Sequence, residues 1–519
     1  MATDIADPLT FEQFLTRWAR ERPDHIAMRE GARVHSFAEI EELTAKVASA
    51  LLSAGVRRGD RIAWIGKNSD LYFLLFFGAA RAGIVMAPIG WRLSPAEWAF
   101  IVNDTQAKML FAGPGFDGLA ARLDAMLDRP PHIVEAGEAW TMIRSATRIA
   151  FEPSGPDEAV LQLYTSGTTG HPKGAVLSNR NLFALRRHSA APDLPHMRWD
   201  DDEAVLIAMP CAHIGGTGLG ITALAAGLPG VVLPEFHPDG VFDAVEQYGV
   251  TRFFIVPAAL QMLLLHPRCA SVDFSRIKYI FYGAAPIPLD LLRQCIRMFG
   301  AQFVQTYGMT ETTGTICVLL PEDHDPEGNE RMRSAGRPLP GVEIRVLGPD
   351  GADRPVGEVG EVVIRSPNNM LGYWNLPDAT ARTMTADGWI HTGDAGYLDA
   401  DGYLFIHDRM KDMIISGGEN VYPAEVESAI FGHPAVQEVA VVGIPDATWG
   451  EAVKAFVVPK PGMAIDADDV IAWARGRIAA FKCPRSIEVI DALPRNASGK
   501  ILRKDLRAPY WEGYARMVN

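Results

Sequence analysis

Cysteine is scarce in this chain of 519 residues: Cys211, Cys269, Cys295, Cys317 and Cys483 are its five, and the nearest two stand 22 positions apart. With no C-x-x-C pair, neither a zinc site nor a disulfide framework is suggested, and a reducing, intracellular setting fits. Positive charge is in deficit too, since 49 Lys and Arg against 63 Asp and Glu leave a net −14. That disfavours a broad nucleic-acid surface, and a polyanionic ligand would have to be met by cations gathered locally. The opening MATDIADPLT lacks an apolar run, which predicts no signal peptide, and the final ARMVN is not a peroxisomal address. Long hydrophobic runs are nearly missing. The one membrane-like stretch, residues 71–91, is split by Arg81 and punctuated by Gly83 and Pro88, so it reads as a buried helix followed by a buried strand.

What is present is the composition of an ordinary globular enzyme, 48% hydrophobic and 22% charged, long enough for two or three domains. Ser36 and Glu39 form a capping box, Ile40, Leu43, Val47 and Leu51 make one apolar face, and Gly55 ends the helix. RIAWIG then reads as a buried strand, and such alternation predicts an α/β layer architecture. Residues 251–308 are the most informative, with RFFIVP, AALQMLLL, IKYIFYG, LDLLRQCIRMFG and AQFVQTYG predicting a βαβαβ run. Ligands of open parallel sheets collect beyond the strands' carboxyl ends, which here carry YGAAP (282–286) and TYGMTE (306–311). After about 330 the pattern turns to short strands of a β-rich subdomain. From about 412 it predicts a compact α+β unit with a strand pair, VAVVGIP and AVKAFVVP, and a helix presenting Ile471, Ala474 and Ile478 on one face.

Residues 164–175 read YTSGTTGHPKGA, small donors and one lysine in a span with little other side chain. Backbone N–H groups, hydroxyls and an ammonium suit a phosphate, although a surface turn has the same composition. The spacing is not that of a Walker loop, G-x-x-x-x-G-K-[ST], so a P-loop NTPase is disfavoured. GLGITA (218–223) matches a loose dinucleotide pattern but follows no clear strand and has no acidic partner, and is set aside.

Five motifs in order, YTSGTTGHPKGA, QTYGMTET (305–312), HTGDAG (391–396), DRMKDMIISGGENVYPAEVE (408–427) and LPRNASGKILRKDLR (493–507), resemble the adenylate-forming superfamily, and most closely its acyl-CoA synthetases. The resemblance spans nearly the whole chain. It implies a large N-terminal domain of layered βαβ sheets (1–407) with the β-rich subdomain, a hinge at 408–412, and a small mobile α+β lid (413–519). It also implies ATP, Mg²⁺ and coenzyme A as partners of a carboxylic acid that is first coupled to AMP and then passed to a thiol. Thr165, Ser166, Gly167, Thr168, Thr169, Gly170 and Lys173 would hold the β- and γ-phosphates. Thr310 would contact phosphate and Glu311 would help hold Mg²⁺. Tyr307 would pack on adenine, with Gly283, Ala284 and Ala285 as the close backbone wall, and Asp394, assisted by Arg409, would accept from the ribose. Lys500 would bridge the acyl carboxylate and α-phosphate, Lys411 would be the pivot, and Gly417 and Gly418 would leave room for pantetheine once the lid has turned.

In MPCAHIGGTG (209–218), the resemblance puts His213 at the carboxylate end of an acyl pocket that Gly215, Gly216, Gly308 and Met309 help to line. Position 212 is Ala and Gly215 stands where the hydroxycinnamate-activating branch carries an aromatic residue, which predicts a wider pocket for a medium-to-long fatty or other bulky hydrophobic acid. Open alternatives are an aryl or hydroxycinnamate ligase, an enzyme that stops at acyl-AMP or loads a carrier protein, a luciferase-like oxidation of the adenylate, and a catalytically silent binding relative. The expected location is the cytoplasm, with room left for transient membrane contact and a homodimer.

Overall fold

The computed structural model describes residues 9–165, 172–186, 194–495 and 501–512. Ser36 and Glu39 cap helix α1 (Phe37–Ser53) reciprocally, Ser36 Oγ accepting from Glu39 N at 3.2 Å and Glu39 Oε2 from Ser36 N at 2.8 Å. A cap of this kind is worth about 1 kcal/mol. Ile40, Val47 and Leu51 are buried as their spacing predicts, Leu43 only in part, and Gly55 turns the chain away at φ +89°.

Strand β1 (Arg61–Ile65), helix α2 (Asp70–Arg81) and strand β2 (Val85–Ile89) follow. Every residue of α2 is buried, including Arg81, whose guanidinium meets Glu41 at 3.0 Å and Glu12 at 2.5 Å. The apolar stretch 71–91 is thus a core helix and strand. No helix of the described residues is long and apolar enough to cross a membrane. Pro88 sits inside β2 opposite Trp64, and its missing N–H is tolerated because β2 is registered with its other neighbour only at Met86 and Leu161. That neighbour, β3 (Ala159–Thr165), pairs antiparallel with β4 (Lys173–Ser178), and these strands belong to a seven-stranded sheet among the described residues.

A second sheet, nine-stranded among the described residues, holds the βαβαβ run. Helix α3 (Ile214–Ala226) precedes it and contains the whole of GLGITA, so that stretch is helix interior and not a nucleotide loop. Then come β5 (Arg252–Ile255), α4 (Pro257–Leu265), β6 (Tyr279–Gly283), α5 (Leu289–Phe299) and β7 (Gln302–Met309). The three strands lie side by side and parallel, with Ile255 beside Tyr282 and Gly283 beside Thr306. Strand β8 (Gly314–Leu319) returns antiparallel to β7. The β-rich part is a four-stranded antiparallel sheet that includes β9 (Trp389–Leu398) and β10 (Leu404–Arg409).

Beyond the turn Met410–Asp412, helix α6 (Pro423–Phe431) packs on the hairpin of β11 (Val436–Asp446) and β12 (Gly450–Pro459), giving a separate apolar core. One sequence expectation needs correction here. Helix α7 (Ala467–Arg475) stops at Gly476, so Ile478 lies past its end, and the buried pair is Val470 and Ala474. Glycine's poor helix propensity ends the helix before the apolar spacing does. Ile478 still packs on the same core from the following segment. Helix α8 (Arg503–Trp511) closes the described chain.

Candidate active site

The carboxyl ends of β5, β6 and β7 open on a cavity of about 990 Å³. Ala284 and Ala285 form part of its wall, and Ala284 holds φ +64°, a left-handed conformation that is rare for a residue with a Cβ and typical of functional turns. Gly283 is buried behind that wall: a Cβ there would stand 2.1 Å from the Thr306 carbonyl oxygen, so glycine is required by strand β7 and not by a ligand. Strand β7 carries Tyr307, Gly308 and Met309 along the cavity and then tightens into the turn Thr310–Thr312. At Gly308 a Cβ would lie 1.8 Å from the Gly314 carbonyl oxygen, so the tight return into β8, and with it the aim of Thr310 and Glu311, depends on glycine.

The seven-stranded sheet brings in the hairpin β3–β4, whose final rung pairs Thr165 with Lys173. Both line the cavity. Ser166, Gly167, Thr168, Thr169 and Gly170 lie outside the described residues, as does Lys500. Glu311, 6% exposed, accepts from the Tyr373 hydroxyl at 2.7 Å, and Thr165 Oγ1 stands 3.5 Å from the same Oε1. Lys173 Nζ rests 4.4 Å from the centroid of the Tyr373 ring. Residues 146 apart in sequence therefore place a hydroxyl, a carboxylate and an ammonium around one space. The hydroxyl and carboxylate oxygens suit a small divalent cation, and the ammonium suits an anion such as a phosphate. Among the described residues no group of three His, Cys, Asp or Glu side chains that could hold a metal ion is found.

The four-stranded sheet supplies the third side. Asp394 and Arg409 are cross-strand partners on β9 and β10, with Arg409 Nε 2.9 Å from Asp394 Oδ1. The Tyr307 hydroxyl donates to Asp394 Oδ2 at 2.6 Å. Burial and the adjacent carboxylate push the Tyr307 phenol well up, so it remains a donor at neutral pH. Asp394 itself is 6% exposed and stands behind Thr392 and Gly393, which line the cavity. Lys411 and Asp412 line it as well, as do Arg495 and Ile501, which bridge to one another. Gly417 and Gly418 do not, and the Cβ position of Gly417 faces the Trp449 ring at 2.6 Å. Arg503 ties this arrangement together, reaching Asp408 at 3.2 Å and Glu427 at 2.7 Å.

At the other end of the cavity, α3 begins at His213, whose backbone carbonyl accepts from Gly216 and Thr217. Burial and nearby Arg92 lower the His213 imidazole to about 4, which makes it neutral at physiological pH. The structure corrects two pocket assignments. Gly216 does not line the cavity, because a Cβ there would meet the Met209 carbonyl oxygen at 2.3 Å, so its smallness serves the close packing of α3. Gly215 does line it, yet the space its side chain leaves is taken by Phe254, whose ring edge stands 3.0 Å from the Cβ position. The pocket is less widened there than the sequence predicts, since an aromatic from β5 replaces the one missing from α3. Sequence reasoning also missed Tyr373 and Arg186 on the walls. RFFIVP signalled a strand but not that both of its phenylalanines line the cavity.

His196 and His324 are, like His213, lowered to about 4, in each case first by burial. A histidine held below its unfolded value stabilises the fold above pH about 6.5, and this contribution is lost as pH falls toward the folded value. Glu451, raised to about 7 by burial, acts oppositely, since over that window the folded state keeps a proton that the unfolded chain releases. These four groups together favour net proton uptake on unfolding at pH 5.5, with a melting midpoint below that at pH 7.5. Calorimetry in buffers of different ionisation enthalpy checks both, and net proton release would contradict the assignment.

Residues 15–374 match the AMP-binding enzyme family and residues 425–500 match the AMP-binding enzyme C-terminal domain. The chain is 40% identical to a fatty acid–[acyl-carrier-protein] ligase of Streptomyces coeruleorubidus, over 98% of each. It is 39% identical to a feruloyl-CoA synthase of an Amycolatopsis species, over 95% of this chain and 97% of the relative. Among solved structures it is similar to the o-succinylbenzoate coenzyme A synthetase of Bacillus subtilis in complex with ATP and magnesium ion, at 32% identity and a TM-score of 0.83, covering 95% of this chain and 98% of the other.

Proposed function

The chain belongs to the AMP-binding enzyme family, and from that premise we propose that it is an ATP-dependent acid–CoA ligase working through an acyl-adenylate. The observation that carries this reading is the meeting of three sheets on one cavity: Thr165 and Lys173 on a hairpin end, Thr310 and Glu311 on a turn, and Tyr307 held by Asp394 and Arg409. The same cavity continues past His213 into a space bounded by Ile214, Leu219 and Phe254. One end suits a polyanion and the other an apolar acid.

The chemistry needs little from side chains beyond placement and charge. An ionised carboxylate attacks the α-phosphorus of ATP in line, the bond to the departing pyrophosphate breaks, and acyl-AMP is left. A thiolate then adds at the acyl carbon and AMP leaves, giving the thioester. The first step requires a cradle for the triphosphate and stabilisation of charge at the α-phosphate. The reading gives the cradle to Thr165, Ser166, Gly167, Thr168, Thr169, Gly170, Lys173 and Thr310. Lys500 supplies the ammonium between carboxylate and α-phosphate. Glu311 would hold magnesium, which would supply Lewis-acid charge neutralisation at the phosphates when bound. Tyr307 and the Ala284–Ala285 wall bracket the adenine, and Asp394 takes the ribose hydroxyls with its carboxylate fixed by Arg409. A neutral His213 bounds the carboxylate end without repelling Lys500.

Residues 408–412 serve as the hinge between the domains 1–407 and 413–519, with Lys411 as pivot. Arg495 and Ile501 of the small domain line the cavity while Gly417 and Gly418 do not, which fits the adenylating arrangement. The thioester step then needs the lid to turn. The favoured acid is a medium-to-long hydrophobic one and the setting the cytoplasm, where ATP and CoA are supplied. A second reading is favoured by the 40% identical carrier-protein ligase: the accepting thiol belongs to a carrier protein.

Incubation with a panel of acids, Mg·ATP and either CoA or a pantetheinylated carrier protein tests this. AMP, pyrophosphate and thioester are expected. ADP would contradict the adenylate route, and thioester formed only on the carrier would select the second reading.

A further inference from the structure

Two arginines are buried among the described residues, and both are neutralised. Arg81 meets Glu12 and Glu41, and Arg252, 2% exposed on the cavity wall, pairs with Glu203, whose side chain is fully buried. Another arginine, the half-buried Arg186, also lines the cavity and has no carboxylate partner among the described residues. Its Nε donates to Thr222 Oγ1 at 3.0 Å, one terminal nitrogen donates to the Leu182 carbonyl, and the other reaches the Gly218 carbonyl at 3.4 Å. A guanidinium has five N–H donors. Three are engaged, so two have no acceptor among the described residues.

The neighbourhood makes room for this cation. A Cβ at Gly218 would lie 3.1 Å from the Arg186 terminal nitrogen, so glycine on α3 lets the guanidinium lie against the helix. Burial alone lowers Arg186, to about 10, which leaves it charged near neutral pH. A charge drawn part-way out of water without a partner is costly, and an anionic group entering the cavity would complete it. His196 lines the same cavity, with its Nδ1 buried and without a partner among the described residues. A purely hydrocarbon tail would leave the free Arg186 donors without a partner.

We propose that Arg186 is a specificity residue that receives a second carboxylate at the far end of the acid, so the favoured substrates are dicarboxylic acids with an apolar middle. This rests on the ligase reading above. The guanidinium engages Gly218 and Thr222, five and nine residues along from His213 at the head of α3. At about 1.5 Å of rise per residue, that is roughly 8–13 Å from the reacting end. An extended chain advances about 1.2 Å per bond, so the span suits acids of about eight to twelve carbons. The carboxyl near His213 is adenylated, and the one at Arg186 stays ionised and takes no part in bond changes.

Four pairwise comparisons test this: octanoate against suberate, and decanoate against sebacate, each by pyrophosphate release and each by calorimetric binding without ATP. Wild type is expected to favour the diacid by at least about thirtyfold in kcat/KM, the usual scale for a buried charge pair. Arg186→Met is expected to lose that preference and gain on the monoacid, and Arg186→Lys to keep part of it. Equal or better use of the monoacid by wild type would overturn the proposal. So would an unchanged ratio in Arg186→Met, or 10-hydroxydecanoate outrunning sebacate. Should Arg186→Met fail to fold, the wild-type ratio and Arg186→Lys decide. If no acid releases pyrophosphate, the ligase reading is what fails, and weaker suberate binding in the variants still decides Arg186.

Discussion

Lys500→Ala is expected to lower pyrophosphate release from acid and ATP by on the order of 10²–10³, the usual consequence of removing one preorganised donor from developing charge. The residue's assignment comes from NASGKIL in the sequence, and Arg495 and Ile501, on either side of residues 496–500, line the cavity. A compact ammonium suits the α-phosphate because charge moves there during the reaction, and a flexible stem lets it follow. The thioester step needs no such group. Thiolysis of supplied acyl-AMP should therefore fall little. Measuring the two half-reactions separately decides the matter, since equal loss in both would remove the step-specific role.

Glu311→Gln is the second large effect, a drop in adenylation on the order of 10² or more, with a raised magnesium requirement. Glutamine keeps the shape and can still accept from the Tyr373 hydroxyl, which now reaches Oε1 at 2.7 Å. What it loses is the charge, and a hard cation holds to a neutral amide far less well than to a carboxylate. The carboxylate is 6% exposed and has no cationic partner within ion-pairing distance among the described residues. Replacing it should leave thermal stability unchanged or slightly higher, because a desolvated charge disappears. Magnesium titration of pyrophosphate release, beside a melting curve, separates the two. Lost activity with a matching loss of stability would mean that Glu311 is structural, and Tyr373→Phe, which removes only the hydrogen bond, should cost much less.

Much of this was legible before any coordinates. The capping box at Ser36, the alternation around RIAWIG and the βαβαβ run of 251–308 are signals written within a few residues, and they produce the elements they predict. The ordered motifs singled out Thr165, Lys173, Tyr307, Glu311 and Asp394, and those side chains meet around one cavity or stand just behind its wall. Less legible was the purpose of each glycine. Gly283 and Gly216 look like ligand-facing residues in sequence, and both are small because a backbone oxygen of a neighbouring segment lies within about 2 Å of where a Cβ would be. Composition cannot separate a glycine that admits a substrate from one that admits a strand.

The sequence by itself determined the chemistry: which backbone segments become strands and turns, and which of them present hydroxyls, an ammonium and a carboxylate. Tertiary structure alone decided the shape and charge of the acid pocket. Phe254 arrives from β5 to fill the space beside Gly215, and Arg186 lies against Gly218 of α3 with no counter-ion among the described residues. The physical reason is the range of the interactions. Hydrogen-bonded elements and caps are set by neighbours a few residues apart, whereas a cavity wall is the sum of packing between segments far apart in the chain, and no short stretch encodes that sum.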